Sequence, residues 1–169
     1  QNILDSTNSW SKNYKTEKLL KGMPKNSLEI ASEVAAIRKQ DGYTLTLDQP
    51  CYMAVMTYAE SQALRKTFYL AYASRASNKF PLKGNWDNTN NIAEILSLRQ
   101  TIANILGYKN FAEYSLATKM AKSTQQVIDF LNNLKVKAIG KSKEEMVVLK
   151  KYAKKKLNIK IINPWDLAY

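Results

Sequence analysis

Histidine is absent from the 169 residues, and cysteine occurs once, at Cys51. Without histidine, a histidine-ligated zinc-protease core, a Ser–His dyad and a Cys–His dyad are all excluded within these residues. One cysteine cannot form an internal disulfide, which fits a reducing, cytoplasmic setting. Glycine (5) and proline (4) are scarce, so the turn punctuation of an all-β protein is missing and long helices are expected. The glycines are isolated from one another, so no phosphate-cradling loop can be read. No run approaches the ~20 apolar residues of a membrane span, and the amino end lacks the charged, apolar and small-residue succession of a signal peptide. The expectation is a soluble, untargeted chain with no membrane partner.

What is present is a hydrophobic fraction of 45% and a net charge of +12, from 26 Lys+Arg against 14 Asp+Glu. A chain of this length can form one domain that buries roughly 70% of its unfolded surface. The charge raises the possibility of nucleic acid or another acidic partner. Its distribution argues against that reading. Lysines are scattered through most segments, and the one dense run, "KKYAKKKLNIK", places Lys150, Lys151, Lys154, Lys155 and Lys156 opposite Leu149, Ala153 and Leu157. It reads as a solvated helix face without the aromatic interleaving of a single-strand binder. A basic nucleic-acid module or a protein-interaction module is the alternative reading.

Helical periodicity dominates the chain. The opening "QNILDSTNSW" sets Ile3, Thr7 and Trp10 on one stripe with no start signal, as at the tail of a longer helix. "WSKNYK" and "GYTLTLDQP" carry period-two patterns, the second with Tyr43, Leu45 and Leu47 on one face, and the two can pair as a ribbon. Between them Asn26 or Ser27 caps a helix whose apolar face is Leu28, Ile30, Val34 and Ile37. After Pro50 come a stripe of Leu64, Phe68, Ala71, Tyr72 and Arg75, a breaker-rich loop "NKFPLKGNWDNT" closed by Asp87 or Thr89, and a helix ending at Gly107. A short helix follows, and then a long one capped by Ser123 or Thr124, with a bend expected at Gly140 within one continuous arm. In "NPWDLAY", Asp166 reads as the N-cap of a helix beginning at Leu167. The fold class expected is all-α, a helical bundle or layered helices, with at most a small two-stranded ribbon. The whole of 1–169 reads as one helical body, with a helix and ribbon in 1–49 and a helical array in 50–169. Leu64, Phe68, Tyr72, Leu96, Leu98, Ile102, Phe111, Phe130 and Leu134 are the expected core.

Chemistry is sparse. Cys51, between Pro50 and Tyr52, reads as a packing residue rather than a reactive thiol. Glu29 and Glu33 share a polar helix face, and Glu144 and Glu145 point to different sides, so neither is an acid–base pair. Tyr58, Phe68, Tyr69 and Tyr72 could stack a ligand, but their helical spacing suits a core. No catalytic and no metal-ligating residue is assigned.

The ordered series "TLD", "YAESQALR", "YASRAS", "LGYKNFAEYSLATKMA" and "PWDLAY" resembles the thimet oligopeptidase and neurolysin family of zinc metallopeptidases, in its oligopeptidase A branch. The resemblance covers essentially the whole chain. It implies a mostly helical, neurolysin-like fold flanking a deep channel, and cleavage of short unstructured peptides by zinc held on an HExxH helix and a downstream glutamate. Those elements follow "PWDLAY" in the family, so none of their roles falls on a residue here. The resemblance implies an internal fragment, inactive alone, with zinc and peptide substrates belonging to the full-length enzyme and the remaining catalytic half as its partner. It also places "RKTFYLAYASRAS" and the loop after it at the wall facing substrate, where Arg75 is the candidate substrate-binding residue. The plainer reading of Arg75 is a cation closing a helix C-terminus.

Overall fold

The two period-two segments form the only sheet among the described residues. Strand β1 (Ser11–Tyr14) pairs antiparallel with β2 (Tyr43–Thr46), with Ser11 opposite Thr46 and Tyr14 opposite Tyr43. The turn into β2 requires Gly42, whose φ is +87°; a Cβ there would lie 2.3 Å from the Tyr14 carbonyl oxygen. Leu45 and Leu47 are fully buried, as the alternation predicts. Thr44, on the other face, is buried as well. Its hydroxyl accepts from Asn13 Nδ2 (3.0 Å) and donates to Gln40 Oε1 (2.8 Å), so a polar side chain is accommodated without an orphaned group.

This computed structural model describes residues 1–79, 81–82, 84 and 86–169; Phe80, Lys83 and Asn85 of the breaker-rich loop lie outside the described residues. The chain divides into two compact units, Gln1–Thr89 with Ile162–Tyr169, and Asn90–Ile161. The division read from the sequence, after residue 49, falls inside the first unit.

In the first unit, helix α1 (Asn2–Asn8) is held by hydroxyls rather than by its apolar residues. Ser6 and Thr7 are buried while Ile3 is exposed, which corrects the expected stripe. Ser6 Oγ accepts from the Ala76 N–H (3.2 Å), and Thr7 Oγ1 accepts from Arg75 Nη1 (2.9 Å). Helix α2 (Lys25–Ile37) packs on β2 through Ala31 and Ala35, with Leu28 partly buried. Ile30 and Ile37, expected on its buried face, are exposed, because the small alanines let the helix approach the ribbon on a face rotated from the bulky residues. Pro24, not Asn26 or Ser27, occupies the N-cap position.

Helices α3 (Gln49–Tyr58) and α4 (Gln62–Ala73) pack against each other and are joined by a three-residue turn, residues 59–61. Ser61 Oγ caps α4 by accepting from the Leu64 N–H at 3.2 Å. Leu64, Phe68 and Ala71 are buried against Leu20, Val55, Met56 and Ala59, and Trp10 meets the Phe68 ring edge-on at 4.9 Å. This is the core that the Leu64–Phe68 spacing predicts. Tyr72 is only partly buried.

In the second unit, α5 (Thr89–Ile105) ends before Gly107 (φ +81°), α6 (Phe111–Leu116) is capped by Asn110, and α7 (Thr124–Lys156) is capped by Ser123. Helix α7 runs without a break through Gly140. Here the expected core fails. Leu96, Leu98, Ile102, Phe130 and Leu134 are all exposed, Phe130 at 62%, and Phe111 is half-buried. Only Ala103 is buried on α5 and only Ala153 on α7. The helices form where the sequence places them, but the residues they bury, Ala103 and Ala153, are not the ones the apolar stripes predict.

Candidate functional site

Two arginines on or beside α4 organise the polar interior of the first unit, one at each end of the helix. Arg75 follows the C-cap residue Ser74. Its Nε donates to the Tyr72 carbonyl (2.9 Å) and its Nη1 to Thr7 Oγ1 (2.9 Å). The guanidinium lies 3.4 Å from the Tyr72 ring centroid, and Tyr72 in turn stacks on Tyr52 at 3.9 Å with planes 17° apart. Arg75 is thus the top layer of a cation–π–π stack that also closes a helix end. The Tyr52 hydroxyl is pushed above its ordinary pKa by burial first and by neighbouring Tyr72 and Tyr69, against which the Arg75 charge acts. Arg75 stays half-buried, and among the described residues its Nη2 has no acceptor.

At the other end of α4, Arg65 is fully buried. Its Nη2 donates to Asp166 Oδ1 at 2.8 Å, its Nη1 to the carbonyls of Ala59 (2.6 Å) and Glu60 (3.2 Å), and its Nε to the Trp165 carbonyl (3.2 Å). The other Asp166 oxygen, Oδ2, accepts from Gln62 Nε2 (2.8 Å), the Asn163 N–H (3.0 Å) and Asn163 Nδ2 (3.3 Å). The Tyr169 ring covers the guanidinium at 4.0 Å. A buried ion pair is tolerable when its donors and lone pairs are largely matched, and here four of the five guanidinium N–H groups and both carboxylate oxygens have partners. Burial raises the Asp166 pKa, but the hydrogen bonds from Arg65, Asn163 and Gln62 outweigh it and hold the carboxyl below its ordinary range.

The sequence missed this pair. Asp166 is not an N-cap: residues Pro164–Asp166 form a 3-10 turn capped by Asn163, and Asp166 is the third residue of that turn, reaching back to the Asn163 N–H in a capping box. Asn163 followed three residues later by an acid was the available signal. Arg65 gave none, since its partner lies 101 positions away. The Trp165 indole N–H is buried with no acceptor among the described residues.

The other candidates stay apart. Cys51 is half-buried on the wall of a cavity of about 320 Å³ between α2 and β2, with its thiol pushed up by burial despite hydrogen bonding with Thr46. That is the state of a packing thiol. Of the aromatic group, Phe68 is core, Tyr69 packs edge-on to Trp165 at 6.0 Å, and Tyr58 is exposed. Among the described residues no three of Cys, Asp and Glu converge as a metal site, and no helix is long and apolar enough to cross a membrane.

A mostly helical chain whose distinctive residues run from α3 to Tyr169 matches one class of protein over that span. The pattern of Peptidase family M3 fits residues 55–169, and the chain belongs to that family. It is 45% identical over 168 residues to oligopeptidase A of Salmonella typhimurium, covering 99% of this chain and 25% of the relative. It is 42% identical to oligopeptidase A of Haemophilus influenzae over the same length. The probable cytosolic oligopeptidase A of Arabidopsis thaliana is 33% identical, covering all of this chain and 24% of the relative. The chain therefore spans about a quarter of the length of these relatives.

Proposed function

We propose that this chain is one part of a zinc-dependent metallo-oligopeptidase of the oligopeptidase A type, a cytoplasmic hydrolase of short unstructured peptides. The observation that carries this reading is the 42–45% identity to oligopeptidases A over 99% of the chain, together with the family match from residue 55 onward. The residues present do not fit a zinc ion: no ligand cluster forms among the described residues, and the sequence has no histidine. The metal ligands and the general base therefore belong to the remainder of a longer polypeptide, and this chain contributes scaffold and wall.

The exposed apolar faces of α5 and α7 support that division. Ile92, Ile95, Leu98, Leu131 and Leu134 are the side chains of an interior, yet all are exposed. The occupant we assign to these faces is the rest of the same polypeptide, because the relatives are about four times as long as this chain. Arg75 remains the candidate contact for a peptide carboxylate through its unengaged Nη2. Arg75→Ala in the full-length enzyme should raise KM for peptides with a free terminal carboxylate and leave kcat unchanged. A lower melting temperature with unchanged kinetics would assign it to the α4 terminus alone.

The test of the function is direct. The 169-residue chain, loaded with zinc and dialysed, should retain no stoichiometric metal and cleave no peptide, whereas the full-length protein should cleave short peptides and lose that activity to a chelator. Chelator-insensitive cleavage by the full-length protein would overturn the assignment.

A further inference from the structure

No further inference is drawn: the strongest candidate, the cavity of about 320 Å³ between α2, β2 and the start of α3, is lined by the Asp48 carboxylate and by the first turns of both helices, charges of opposite sign that select no ligand class, and nothing in the structure shows what fills it.

Discussion

The two units treat the same kind of helix in opposite ways. In the first, α4 turns Leu64, Phe68 and Ala71 into a core that α3, the ribbon and the Trp10 ring close from the other side. In the second, α5 and α7 also carry apolar residues at helical spacing, and yet only one alanine on each helix is buried. Amphipathic period is therefore a statement about which residues share a face. It says nothing of whether the chain in hand supplies the opposite layer. Helix α7 makes the point most sharply: at 33 residues it is long enough to persist on local bonds and caps, while Phe130, Leu131 and Leu134 remain exposed.

The contrast can be broken by mutation. In the 169-residue chain, Phe68→Ala should cost about 3–5 kcal/mol by urea unfolding, because a fully buried ring is removed from a closed core. Phe130→Ala should cost less than about 0.5 kcal/mol, as an exposed position does. Equal losses would show that the second unit buries its face after all.

Acid titration should separate the units next. Because the Asp166 carboxyl titrates below its ordinary value in the folded chain, the unfolded chain binds more protons near pH 4 and below. The pair's stabilisation is therefore complete above the ordinary carboxylate range and declines as pH falls through it toward the lower folded value. Asp166→Asn should remove about 2 kcal/mol at neutral pH and flatten this acid limb. The helical signal of the second unit should not follow it. An unchanged acid limb would mean that other carboxylates govern the loss.

The smallest effect concerns caps. Ser61 and Ser123 cap α4 and α7 with nearly equal geometry, 3.2 and 3.1 Å. Each serine-to-alanine change should cost about 1 kcal/mol locally. Ser61→Ala should shift the cooperative transition of the first unit, since α4 is bound into its core. Ser123→Ala should only fray the start of α7, seen as faster exchange of its first turn. A matched shift of one transition by both would contradict the comparison.

How much of this was legible in the sequence follows the range of each interaction. The Leu64, Phe68 and Ala71 stripe, the Gly107 stop and a cap at Ser123 or Thr124 depend on neighbours within a few residues and were legible, as were the period-two patterns of the two strands, whose pairing joins Ser11 to Thr46. Burial of the α5 and α7 stripes depends on partners outside the helix, and there the reading failed. The face of α2 was rotated because Ala31 and Ala35, weak hydrophobes by composition, are strong contacts where a helix must lie close to a strand. The Arg65–Asp166 pair was invisible because a buried arginine looks like any polar residue of an amphipathic helix until its carboxylate is found 101 positions away. Arg75 was singled out by the family resemblance; its plainer reading as a cation closing a helix end is legible locally in the bond to the Tyr72 carbonyl, whereas the bond to Thr7 is not.

The central claim is that the uncovered faces of α5 and α7 are interior surfaces of a longer M3 peptidase. Amide hydrogen exchange of residues 92–105 and 125–156, compared between the 169-residue chain and the full-length protein, tests it most directly. The account predicts weak protection in the chain alone and exchange slowed by on the order of a hundredfold or more in the full-length protein, with residues 43–47 and 62–71 far less changed. Equal protection of α5 and α7 in both forms would contradict it.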